Sequence, residues 1–182
     1  WGTNSAGQLG IGSTATPQLT PQVVDTGVSY SEIAAGENHT CGITTAGVLK
    51  CWGANGSGQV GDGTTTARSA PTVIESGTAY SKVEVASSGY HTCGITTAGV
   101  VKCWGANGSS RLGDGTTTSR STPTPVSLTT PQLFREVATG GAQSCAISTG
   151  GQLYCWGANT WGQLAIGNTT TQTSPASVGT GY

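Results

Sequence analysis

Short apolar stretches alternate with clusters of glycine, threonine and serine along the whole chain, and strong helix formers are few. That pattern predicts short β-strands joined by turns, an all-β protein without long helices. An extended piece is expected at residues 32–35, 82–86 and 135–139, and a hairpin follows each at residues 39–52, 91–104 and 143–156. A glycine-rich loop comes next, and a further extended piece around Thr72, Val73 and Ile74 closes the unit. Four short strands in roughly 50 residues is the make-up of a β-propeller blade.

The hairpin register follows from its turn. If Thr45, Ala46 and Gly47 form a three-residue turn with Gly47 in the left-handed conformation, then Thr44 faces Val48, Ile43 faces Leu49 and Cys41 faces Cys51. Side chains alternate along a strand, so both cysteines share the face of Ile43 and Leu49. The same count sets Cys93 opposite Cys103, and Cys145 opposite Cys155 around Gly151. Opposition across a hairpin brings Cα atoms within bridging range, so three local disulfides are expected. Each closes a loop of about 11 residues and contributes about 2.8 kcal/mol by chain entropy. They imply an oxidising compartment, extracellular or at the cell surface. The alternative is three pairs of reduced, buried cysteines.

Self-similarity runs through the chain. Trp-Gly occurs at Trp1, Trp52, Trp104 and Trp156, at separations of 51, 52 and 52 residues. The word from Trp52 to Gly63 returns from Trp104 to Gly115, with looser copies from Trp1 to Gly12 and from Trp156 to Gly167. Cys41 to Gly47 recurs as Cys93 to Gly99 and, with changes, as Cys145 to Gly151. The chain therefore reads as one repeat array over residues 1–182, with units at about 1–30 (partial), 31–80, 81–134 and 135–182. Trp52, Trp104 and Trp156 hold the same place in each copy and are expected in the blade core. His39 and His91 are expected as structural hydrogen-bonding groups.

Composition narrows the function. Of 182 residues, 30 are glycine, 31 threonine and 19 serine, while only 8% are charged, against roughly 25% in ordinary soluble domains. Seven basic residues are scattered among eight acidic ones, which argues against nucleic-acid binding, since phosphate neutralisation needs clustered Lys and Arg. No apolar run approaches the roughly 20 residues that cross a bilayer, so no membrane insertion is expected.

The unit resembles the regulator of chromosome condensation repeat, whose motif ends in Trp-Gly-x-Asn-x-x-Gly-Gln-Leu-Gly. Trp1 to Gly10 matches that word in full and Trp52 to Gly61 differs only at Val60. Ser110 and Arg111 replace Gly-Gln in the third copy, and Ala165 replaces the last glycine in the fourth. The resemblance implies a β-propeller, usually of seven blades. Three to four four-stranded antiparallel blades are expected here, a partial propeller or a segment of a seven-bladed one. Tyr182 stands where Tyr30, Tyr80 and Phe134 precede the next unit's first strand. An open stack leaves apolar faces at its ends, so further blades in the same chain, an adjacent chain or a filament are expected to cover them.

Candidate chemistry is sparse. His39, Cys41 and Cys51 could converge on a metal, but Gln143 replaces the histidine in the third unit while Cys145 and Cys155 stay, so no metal and no cofactor are expected. Asp62 and Asp114 sit in repeated Gly-Asp-Gly words and read as turn aspartates. Neither histidine occupies a unique setting, no convincing break in the repeat marks an active site, and no catalytic residue is assigned. Four Asn-x-Ser/Thr words occur, at Asn38, Asn55, Asn107 and Asn168; turn asparagines are the simpler reading of them.

Recognition is expected where the copies differ. The turns before the hairpins read Gly36-Glu37-Asn38, Ser88-Gly89-Tyr90 and Gly140-Gly141-Ala142, and the glycine-rich loops carry Arg111 and Trp161. Tyr90, Arg111, Trp161, Glu37 and Asn38 are therefore the candidate partner contacts, aromatic and arginine side chains on loops being frequent interface anchors. The expected function is a non-enzymatic extracellular or surface-exposed module that binds another protein or further copies of itself. A structural subunit of a fibre, appendage or stalk is the alternative. Guanine-nucleotide exchange on a Ran-type GTPase, which the resemblance also implies, is opposed by the cysteine pattern and the missing basic patch.

Overall fold

The computed structural model describes residues 1–88 and 90–179; Gly89 and Tyr182 lie outside them. Among the described residues there is no helix, and the strands form three four-stranded antiparallel sheets, each in chain order. The first contains β1 (Tyr30–Ala35), β2 (His39–Thr44), β3 (Leu49–Gly53) and β4 (Arg68–Val73). The second contains β5 (Tyr80–Val85), β6 (His91–Thr96), β7 (Val101–Gly105) and β8 (Arg120–Pro125). The third contains β9 (Phe134–Thr139), β10 (Gln143–Ser148), β11 (Leu153–Gly157) and β12 (Gln172–Ser177).

The hairpin register is the one the turn dictates. Gly47 has φ 78° and donates its N–H to the Thr44 carbonyl at 2.8 Å, which sets Ile43 opposite Leu49 and Cys41 opposite Cys51. Cys93 pairs with Cys103 and Cys145 with Cys155 in the same way. In each pair the Cα atoms are 4.1 Å apart and the sulfurs lie within disulfide distance.

Two elements differ from the expectation. Tyr30, Tyr80 and Phe134 belong to the first strands rather than preceding them, because a bulge between Tyr30 and Glu32, and between Tyr80 and Lys82, keeps the ring on the sheet. Gly42 and Gly94 make room for those tyrosine rings; a Cβ there would meet the ring at 2.7 and 2.9 Å. The closing strand also starts earlier, at Arg68, which pairs with Gly53 as the chain leaves the hairpin, and it ends at Val73, before Ile74.

The sheets stack face to face as propeller blades. Cys41, Ile43, Leu49 and Cys51 of the first sheet pack with Val60 and Ile74 against Tyr80, Val83, Val85 and Trp104. The next seam repeats this with Cys93, Ile95, Val101 and Cys103 against Phe134, Val137, Ala146 and Trp156. At the outer face of the first sheet Ile33, the counterpart of buried Val83 and Val137, is 60% exposed.

Candidate functional site

Each Trp-Gly loop is built around one buried asparagine. Asn55 Oδ1 accepts the Val60 N–H at 2.9 Å, while its Nδ2 donates to the carbonyls of Thr64 and Thr66 at 3.1 and 3.0 Å. Asn107 repeats this with Leu112, Thr116 and Thr118. Both asparagines are therefore sealed inside the loop as structural acceptors and donors, whereas Asn168 is exposed. Asp62 sits in the same loop beside Arg68, and Asp114 beside Arg120. Burial opposes the charge on Asp62, but the Thr64 hydroxyl, the Arg68 guanidinium and the Thr64 amide outweigh it and hold the carboxyl below its usual range; Asp114 is lowered by the same set around Thr116 and Arg120. The repeated aspartates are thus loop-fastening groups.

The loop then clasps the next sheet. The Gln59 carbonyl accepts from Trp104 Nε1 at 3.0 Å and from the Thr92 hydroxyl at 2.9 Å. His39 Nε2 lies 2.9 Å from that same hydroxyl oxygen. Because the threonine proton is committed to Gln59, the imidazole is the donor, which fixes the Nε2–H tautomer. Burial alone lowers the pKa of His39 to about 4, so it is neutral at pH 7. The following seam repeats the relay: the Arg111 carbonyl accepts from Trp156 Nε1 and Ser144 Oγ, both at 2.9 Å, and His91 Nε2 lies 2.9 Å from Ser144 Oγ. Before the first sheet, the Gln8 carbonyl accepts from Trp52 Nε1 and Thr40 Oγ1. Trp52, Trp104 and Trp156 are buried, and His39 and His91 are buried links between repeats. The forward partner of each, a hydroxyl 53 residues on, is what sequence reading missed; the recurrence of Thr40, Thr92 and Ser144 after the hairpin's first residue was the available signal.

Topology gathers the variable residues on one rim. The turn before each hairpin and the loop after it leave the sheet at the same edge, for Ala54, Ala106 and Ala158 donate to the carbonyls of Asn38, Tyr90 and Ala142 at 2.7, 2.9 and 2.9 Å. Trp161 is 89% exposed there and Tyr90 45%, with Glu37 exposed and Asn38 half-buried. Arg111 is turned toward the protein: its Nη1 donates to the Gly141 carbonyl at 2.9 Å, tying the third loop, residues 104–115, to the third sheet's turn. The opposite edge carries Asp25 bonded to Lys50 and Tyr30, and Glu75 bonded to Lys102 and Tyr80, so its acids serve as structural bridges. Among the described residues no three His, Cys, Asp or Glu side chains converge as metal ligands would.

Comparison with known proteins agrees with this architecture. Two family models, both described as the regulator of chromosome condensation (RCC1) repeat, match residues 1–43, 47–95, 99–147 and 150–181, and residues 30–59, 83–111 and 134–163. The chain is 32% identical over 181 residues to the ultraviolet-B receptor UVR8 of Arabidopsis thaliana, covering 98% of this chain and 41% of that protein. It is 31% identical over 181 residues to the probable E3 ubiquitin-protein ligase HERC4 of Homo sapiens, covering 98% of this chain and 17% of that protein. Human WBSCR16 superposes with a TM-score of 0.80 at 21% identity, over 96% of this chain and 45% of its own. Prp20p of Saccharomyces cerevisiae does so with a TM-score of 0.70 at 20% identity, over 82% and 38%. The chain thus spans less than half the length of each of these relatives.

Proposed function

The chain belongs to the regulator of chromosome condensation (RCC1) repeat family, and from that premise we propose that it is a non-enzymatic propeller module that binds another protein through one rim, in an extracellular or cell-surface setting. The observation that carries the reading is the gathering of Trp161, Tyr90, Glu37 and Asn38 on the edge where the copies differ, with Trp161 89% exposed. An indole held in solvent on an otherwise repetitive surface suits an interface anchor. Protein binding has precedent in the family: solved structures concern Prp20p with its binding to Gsp1p and histones, and yeast RCC1 bound to Kap60. The three cysteine pairs at disulfide distance support an oxidising setting. The absence of catalysis is inferred from Asp25, Asp62, Glu75, Asp114, His39 and His91, each of which makes a structural bond.

Site-specific photo-cross-linking in the source cells tests the rim. A cross-linker at position 161 or 90 is expected to trap one protein reproducibly, and one at Ala46, on the opposite edge, is not. Equal yields from both edges overturn the rim assignment. Intact mass with and without reductant tests the compartment: a gain of about six protons on reduction is expected, and no change overturns the extracellular reading. A structural subunit of a fibre, appendage or stalk is the second reading, favoured by the low charge and the high threonine, glycine and serine content.

A further inference from the structure

The fourth Trp-Gly loop, residues 156–167, has the backbone of the earlier three and, among the described residues, no following tryptophan against its turn. Leu164 N–H bonds Asn159 Oδ1 at 3.0 Å, as Val60 and Leu112 bond Asn55 and Asn107. Ala165 N–H bonds the Gly162 carbonyl at 3.0 Å, as Gly61 and Gly113 bond those of Gly58 and Ser110. In the three earlier loops the glycine of this turn lies against the next tryptophan. A Cβ on Gly10, Gly61 or Gly113 would stand 2.7, 2.5 or 2.6 Å from the indole nitrogen of Trp52, Trp104 or Trp156. The fourth loop has that Cβ: Ala165 occupies the glycine position with φ 53°.

A second change lies on the same face. His39 and His91 reach forward to a hydroxyl on the following sheet, whereas Gln143, their counterpart, folds back on its own turn, with Gly140 packed against its amide and Oε1 accepting from Ala142 at 3.4 Å. The apolar platform nevertheless persists: Leu164 and Val178 are buried beside Cys155, Cys145 and Ile166 pack at their margin, and Leu153 is 37% exposed. The Gln163 carbonyl stands where those of Gln8, Gln59 and Arg111 accept an indole N–H and a hydroxyl.

We propose that the forward face of the third sheet is shaped for a divergent repeat, one that keeps the apolar first strand and the hydroxyl of Thr92 and Ser144 but carries a side chain smaller than tryptophan beneath loop 156–167. A sheet is the occupant because this face continues the two seams already built inside the chain, and both of those are formed by consecutive repeats. A second copy does not fit. Its first sheet already has loop 1–12 over Trp52, in the place that loop 156–167 would need. Ala165 is thus a specificity-determining residue, admitting an indole-free neighbour where glycine admits tryptophan. The inference concerns the end of the stack and is independent of the rim reading.

The test extends the full chain after Tyr182 with a fourth repeat copied from residues 135–179, keeping the copied tryptophan or replacing it with leucine, on Ala165 or on Ala165→Gly. The fourth cysteine bridge, read by intact mass, shows that the added hairpin has formed. On Ala165 the leucine repeat is expected to resist protease about tenfold longer than the tryptophan repeat, and Ala165→Gly is expected to abolish that difference. Equal protection of the tryptophan repeat on Ala165 and on glycine overturns the steric rule. Protection of none of the four chains overturns the assignment of a repeat as occupant.

Discussion

The two inner loops, residues 52–63 and 104–115, and the last one, residues 156–167, share one backbone yet meet different surroundings. The inner pair are pressed against Trp104 and Trp156, while the last has no such neighbour among the described residues and still keeps its turn. It does so without the aspartate–arginine pair, since Ile166 and Gln172 stand where Asp62 and Arg68 do; Asn159 binds across the loop to the carbonyls of Asn168 and Thr170 at 2.8 and 3.1 Å, and Asn168 Oδ1 accepts the Thr170 N–H at 2.9 Å as Asp62 Oδ1 accepts that of Thr64. The loop's shape is therefore set locally by its asparagine, and the seam is added by whatever the glycine position lets approach. A second contrast runs the same way. The first two sheets close their far edge with the polar bridges of Asp25 and Glu75, and the third replaces them with an edge-on pair, Phe134 and Tyr154, 5.7 Å between centroids.

The widest separation between an occupied and an empty loop is expected from the tryptophans. Trp104→Ala removes a fully buried indole and its bond to Gln59 and is expected to cost about 4 kcal/mol in urea unfolding. Trp1→Ala, at a residue 74% exposed, is expected to leave the midpoint unchanged. Comparable losses would mean the loops do not clasp the following sheet.

Next comes the glycine itself. Gly61→Ala places a Cβ against Trp104 at φ 89° and is expected to cost about 3 kcal/mol, whereas Ala165→Gly in the unextended chain relieves a left-handed alanine and is expected to gain up to about 1 kcal/mol. Thermal unfolding of the two variants side by side checks the opposite signs.

The histidine relay sharpens the contrast through pH. His39 titrates near 4 in the folded chain against 6.5 unfolded, so below pH 6.5 the unfolded state binds a proton that the folded state refuses. Its contribution is full above pH 6.5 and is lost as the pH falls toward 4, roughly 2 kcal/mol of it between pH 6.5 and 5. Urea midpoints should show this slope in the native chain and lose that share of it in His39→Gln, which copies the third repeat's Gln143. An unchanged slope would place the acid sensitivity elsewhere.

The smallest effect belongs to the inner loops' carboxylates. Asp62→Asn is expected to cost about 1 kcal/mol at pH 7, the half-exposed Arg68 being screened by solvent. Because the folded carboxyl is lowered, that difference is present above the usual aspartate range and shrinks as the pH drops through it.

The hairpins, their register and the cysteine pairs were legible in the sequence because a turn length and a period of two are local quantities. Once Gly47 takes the left-handed position, Cys41 can only meet Cys51. The return of the same words every 52 residues likewise required one architecture, since a single four-stranded sheet cannot bury both its faces alone. The gathering of Glu37, Tyr90 and Trp161 on one rim, and the turning of Arg111 back to Gly141, were decided only in three dimensions, as were the pairing of His39 with Thr92 and the choice of the Gln59 carbonyl as the acceptor for Trp104. Those contacts join residues of different repeats, whose spacing along the chain says that they are equivalent but not which atoms of one reach the next. That depends on how two twisted sheets settle on each other, where tenths of an ångström around Gly61 or Ala165 determine what can fit.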